Sequence, residues 1–89
     1  MRARKRVVVH GHVQGVFFRD ATEKEARSAG VAGWVTNRDD GAVEAVFEGD
    51  PDAVDRMVAF AQEGSRQADV ESVEVNDEEP EGLSDFAVR

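Results

Sequence analysis

Gly11-His12-Val13-Gln14-Gly15-Val16-Phe17-Phe18-Arg19 is the stretch on which the reading of this chain turns. Upstream, Arg4 to His10 reads as a strand whose Val7-Val8-Val9 is apolar on both faces, which suits a central position in a sheet. Downstream, Phe18, Thr22, Ala26 and Ala29 recur at helical spacing and Gly30 supplies a stop, so a helix is predicted over 18–29. Glycines at 11 and 15 let the connection curl with its N–H groups turned inward, ahead of a helix N-terminus that carries partial positive charge. Arg19 adds a permanent charge in a planar fork able to hold a pair of phosphate oxygens. Strand, loop and helix together describe a small cup for an anion, best suited to phosphate. The same spacing would also fit an ordinary glycine turn with Arg19 at the surface.

Working outward, Gly33 to Asn37 reads as a second strand, with Trp34 a core or rim residue. Arg38-Asp39-Asp40-Gly41 is a hairpin turn, and Ala42 to Glu48 a third strand. Val43, Ala45 and Phe47 share one face of that strand; Glu44, Val46 and Glu48 share the other. Asp50 can cap a second helix with Pro51 at its first position, and Val54, Met57, Val58 and Ala61 form its buried stripe before Gly64. A fourth strand is expected near Val70 to Val75, then an acidic loop from Asn76 to Asp85, then a short last strand at Phe86 and Val88. The order predicts an α+β, ferredoxin-like two-layer sandwich, βαββαβ, filling one domain over 1–89. Its four-stranded antiparallel sheet, with the short C-terminal strand, carries two helices on one face. That fold hosts many functions, so the site has to argue the function.

Composition narrows the classes. A chain of 89 residues buries a thin core, about 60–65% of its unfolded surface. It has no cysteine, and His10 and His12 alone do not make a metal site. No apolar run approaches membrane-spanning length, and the run after the basic N-terminus is too short for a signal peptide, so a cytoplasmic protein is expected. Net charge is −8, but residues 1–38 carry +5 and residues 39–89 carry −13. An anionic ligand must therefore be attracted locally, against the global field. The acid excess reads as a solvated surface, or as adaptation to high salt given nine arginines against two lysines. Arg2, Arg4, Lys5 and Arg6 read as a solvated strand start. The acidic balance and the lack of strand aromatics argue against RNA, although a non-catalytic binding module for RNA or an anion remains the rival reading.

Asn37 separates these readings. An asparagine at a strand end can simply open a turn, or its amide, both donor and acceptor, can orient a water. At this point the chain resembles the acylphosphatase family. Residues 11–19 resemble its first signature, and Gly33-Trp34-Val35-Thr36-Asn37-Arg38-Asp39-Asp40-Gly41-Ala42-Val43-Glu44 its second, in order and at the usual separation. Gly49, the helix after it and Phe86-Ala87-Val88-Arg89 are also similar, so nearly the whole chain is covered. The resemblance implies a monomeric hydrolase of small acyl phosphates that uses no metal or cofactor and engages neither nucleic acid nor membrane. Arg19 would bind the phosphoryl group beside Gly11, His12, Val13, Gln14, Gly15, Val16 and Phe17, and Asn37 would position the water. The chain departs from the common pattern at Arg38, which reads as solvent-facing, and at Ser65-Arg66, where Ser-Pro is frequent.

Overall fold

The computed structural model describes residues 1–89. The elements are β1 (Ala3–His12), α1 (Phe18–Ala29), β2 (Ala32–Asn37), β3 (Val43–Gly49), α2 (Pro51–Glu63), β4 (Asp69–Glu78) and β5 (Phe86–Val88). They form one five-stranded sheet in the order β4-β1-β3-β2-β5. The inner pairings are antiparallel, as expected, whereas β5 lies parallel to β2, with Gly33 opposite Phe86 and Val35 opposite Val88. The sheet is therefore mixed, and the C-terminal strand extends its β2 edge.

Both helices cover one face. Val7, Val9, Val35, Val43, Ala45 and Phe47 project from that face into a core shared with Phe18, Ala26, Val54, Met57, Ala61 and Phe86. Alternation along the strands delivers these residues to one side, and the stripes of the helices meet them. Phe47 and Phe86 stack with centroids 6.1 Å apart, tying β5 into the core. The ends of α1 differ in kind from those of α2. Gly30 closes the C-terminus of α1 in the left-handed conformation (φ 72°), and its N-terminal Phe17 offers no side-chain cap. Asp50 caps α2 by accepting from Asp52 N–H at 3.3 Å, with Pro51 at the first helical position.

The outer face departs from the sequence reading. The basic start of β1 is solvated only at Arg2, while Lys5 and Arg6 are half-buried. Arg4 is buried, and its guanidinium lies 3.2 Å from Glu48 and 2.9 Å from Glu78. Arg6 pairs with Glu78 at 2.6 Å and also with Glu44. Strand register explains this: Arg4 is paired with Glu48 of β3 on one side and Glu78 of β4 on the other. Nor is 76–85 all loop, because β4 continues to Glu78. The remaining turn folds over the outer face and covers Glu48, which is fully buried. Glu48 accepts from the N–H groups of Glu81, Gly82 and Leu83 at 2.9, 2.8 and 2.8 Å. Burial by itself would push the Glu48 carboxyl up. The N–H groups of Glu81 and Leu83, with Arg4 and Arg2, outweigh that and hold it at about 2. Trp34 is a rim residue of this face, with the guanidinium groups of Arg6 and Arg89 at 5.3 and 4.8 Å from its ring centroid.

Candidate active site

Because β1 and β2 both run antiparallel to β3, their C-terminal ends lie at the same end of the sheet. The loop that leaves β1 and the Asn37 that ends β2 are thereby brought together. A cavity of about 250 Å³ lies between them, lined by Val13, Gly15, Phe17, Phe18, Arg19, Asp20 and Asn37.

The loop is shaped by alternating backbone conformations. Gly15 has φ 74° with open space where a Cβ would stand, and Phe17 has φ 60°, the one non-glycine residue with positive φ in the chain. A left-handed phenylalanine costs about 1–2 kcal/mol, a strain typical of functional turns. The N–H groups of Val13, Gln14, Gly15, Val16 and Phe17 donate to no acceptor of the protein. Those of Phe18, Arg19 and Asp20 are the unpaired first turn of α1. A continuous run of free donors thus leads into a helix N-terminus, an arrangement that holds anions.

Arg19 is half-buried on this first turn. Its Nη1 donates to the main-chain oxygen of Arg89, the last residue of the sequence, at 3.0 Å, and no Asp or Glu side chain pairs with it. The guanidinium is thus aimed through one of its nitrogens, leaving its other N–H groups for a ligand. The same Arg89 oxygen accepts from Thr36 Oγ1 at 3.3 Å, and Arg89 N–H donates to Val35 O at 2.9 Å. The strand carrying Asn37 and the C-terminal segment therefore steady Arg19 together. Asn37 lines the cavity, and its side-chain amide is engaged by no protein group.

Other residues of the expected site hold the loop in place. Gln14 Nε2 donates to Arg38 O at 2.8 Å and to Ala42 O at 2.9 Å, stapling the loop to the hairpin that follows Asn37. On the opposite side Ser65 Oγ donates to Val16 O at 2.9 Å, and Ala68 N–H to Ser65 O at 3.0 Å closes the 65–68 turn without a proline. The Val16 side chain is buried in the core.

Gly11 and His12 do not reach the cavity. Both lie in β1, paired with Val70 and Asp69 beside an irregularity after His10. A Cβ on Gly11 would stand 2.2 Å from Asp69 O, so this glycine serves the close approach of β4 to β1, not the curl of the loop. Arg38 is exposed and pairs with Asp40 at 3.2 Å. Sequence reasoning missed Asp20 as a lining residue and Gln14 as a staple. Position explains the first, one residue after Arg19 in a helix turn; nothing local marks the second.

The Acylphosphatase family model matches residues 5–88. An acylphosphatase of Haloarcula marismortui is 56% identical over 87 residues, covering 97% of this chain and 94% of that protein. One from Haloquadratum walsbyi is 51% identical over 99% of this chain and 95% of its own length. Among solved structures, an acylphosphatase from Coxiella burnetii superposes with a TM-score of 0.94 at 39% identity, over 99% of this chain and 93% of that one. With the free N–H loop, Arg19 and Asn37 gathered at one end of a matching fold, the chain belongs to the acylphosphatase family.

Proposed function

We propose that this acylphosphatase binds the phosphoryl group of a small acyl phosphate in the loop from Val13 to Phe17, with Arg19 gripping its oxygens and Asn37 holding the attacking water. Water adds to phosphorus as the bond from phosphorus to the acyl oxygen breaks. The carboxylate leaves with the bonding pair, and the water's proton passes to a phosphoryl oxygen. A carboxylate is a good leaving group, so no strong general acid is needed, and phosphoryl transfer asks the protein mainly for positioning and charge stabilisation. The free donors and Arg19 supply that charge, each well-placed donor contributing about 3 kcal/mol. The observation that carries the reading is the juxtaposition of unsatisfied N–H groups, an Arg19 paired with no Asp or Glu side chain and an Asn37 amide without a protein partner around one cavity.

The test is phosphate release from benzoyl phosphate in the presence of a chelator. Asn37→Ala should lower kcat by about 100-fold, the cost of losing orientation, while inorganic phosphate inhibits as before. Normal turnover in that variant, with its fold verified by circular dichroism, would remove Asn37 from the mechanism. Absence of any release would favour an anion-binding module instead.

The same reading makes the protein a cytoplasmic monomer that binds neither nucleic acid nor membrane, its acidic surface suited to high salt. The basic residues that RNA would need are engaged, since Arg2, Arg4, Lys5 and Arg6 all reach carboxylates. Full stability and activity in dilute buffer would refute the salt adaptation.

A further inference from the structure

Most cations of this acidic chain are paired within it. Arg2, Arg4, Lys5, Arg6, Arg27, Arg38 and Arg56 each reach a carboxylate. Arg19, Lys24, Arg66 and Arg89 pair with no Asp or Glu side chain, and Arg19 bonds the main-chain oxygen of Arg89 instead. Arg19 belongs to the phosphate cup, and Arg89 lies over Trp34. Lys24 and Arg66 are left, and both line a second groove of about 600 Å³.

This groove continues the phosphate cavity, because Phe17 and Asp20 line both. Phe17, 70% exposed, forms an apolar step between them. Lys24 stands one turn beyond Asp20 on α1, about 6 Å further along the axis. Arg66 approaches from the 65–68 turn, whose Ser65 is bonded to the loop at Val16. Neither cation lies within salt-bridge distance of a carboxylate, in a protein of net charge −8, and against the single acid Asp20 they leave the groove lining net positive. Both line one groove that adjoins the cup, which makes it a place for a second negative charge.

We propose that this groove is the acyl subsite, and that it favours acyl phosphates whose acyl group ends in a carboxylate over neutral ones. The proposal rests on the hydrolytic reading of the cup. The acyl group crosses Phe17, and its carboxylate meets the Arg66 fork and the Lys24 ammonium. Asp20 is the one carboxylate on the lining and repels an anion at the near end, which places the terminal charge at the far end. Both cations are exposed, so the attraction is strongest at low ionic strength.

The test compares kcat/KM for 4-carboxybenzoyl phosphate and 4-carbamoylbenzoyl phosphate, which share a shape and differ in charge. The ratio is measured for the wild type and for a Lys24→Gln, Arg66→Gln double variant, so that intrinsic leaving-group reactivity cancels. The ratio should fall about fivefold in the variant, the scale of an exposed ion pair, with the change in KM. The kcat for benzoyl phosphate should stay as in the wild type, and added salt should narrow the difference between the two proteins. A ratio unchanged in the variant, with all probes still hydrolysed, overturns the acyl subsite alone. A wild type that hydrolyses none of the probes overturns the hydrolytic reading beneath it.

Discussion

At one end of β1, Glu48 lies in a cradle of backbone N–H groups from Glu81, Gly82 and Leu83, with Arg4 and Arg2 beside it. At the other end, the loop from Val13 to Phe17 offers backbone N–H groups of the same kind, with Arg19 beside them. Both are anion sites made from consecutive amides and arginine. In the first the anion is tethered to β3 and fully buried, so the site contributes stability and locks the 79–83 turn over the sheet. In the second no acidic side chain of the protein occupies the loop, Phe17 holds a strained conformation, and Arg19 is steadied by the main-chain oxygen of Arg89 with its other N–H groups left for a ligand. The chemistry is shared; what separates a structural site from a working one is whether the chain supplies its own anion.

The comparison can be broken at either end. The largest effect is expected from Arg19→Ala, which should lower kcat/KM for benzoyl phosphate about 1000-fold and weaken inhibition by phosphate, with the thermal midpoint unmoved. A matching loss of stability would mean that Arg19 is as structural as Arg4. Glu48→Gln should do the reverse. Removing the buried charge should cost about 3 kcal/mol, lowering the melting temperature by more than about 12 °C, while kcat of the folded protein holds at 25 °C.

Acid titration sharpens this further. The Glu48 carboxyl is held at about 2, below its ordinary value of 4.5. Its folded form therefore binds a proton less readily than its unfolded form, so its contribution is fully present above about pH 4.5 and fades as pH falls toward 2. Denaturation curves for the wild type should shift across that window, and the Glu48→Gln variant should lose that part of the shift.

Gln14→Ala probes the support of the working cradle. Losing its bonds to Arg38 O and Ala42 O should cost about 1 kcal/mol and lower kcat about tenfold, because the loop and the Asn37 hairpin drift apart. Gln14→Glu should not rescue, since a carboxylate cannot donate to those carbonyls. The smallest effect is expected at the closed helix N-terminus. Asp50→Ala should cost about 1 kcal/mol of stability by chemical denaturation and leave kcat unchanged, in contrast to any change at the uncapped terminus of α1.

Much of the fold was legible because it follows local rules. The helix over 18–29 has the predicted bounds, its stripe supplied by Phe18, Thr22 and Ala26. Asp50 and Pro51 announced α2, and the three valines announced a central strand. The outer face was not legible. Arg4 and Arg6 look like part of a solvated basic run until the register sets them against Glu44, Glu48 and Glu78, residues 38 to 74 positions away. The 76–85 segment is acidic and contains a proline, so its use as a lid on Glu48 left no local mark. At the site, glycine spacing drew Gly11 into the phosphate loop, although its φ of 131° answers to β4 crossing close by.

By itself the sequence determined the periodicities, the helix punctuation, the glycine that allows the loop its turn at 15, and the pairing of an arginine with an asparagine in recognisable settings. These depend on neighbours within a few residues, where backbone sterics and side-chain spacing act. Only the tertiary structure decided that β5 runs parallel on the β2 edge, that Glu48 fills one cradle, that Gln14 and Ser65 brace the other, and that Lys24 and Arg66 line one groove beside it. Each of those outcomes joins segments far apart in the chain, and hydrogen bonds and charges act through space once strand register has set the distances.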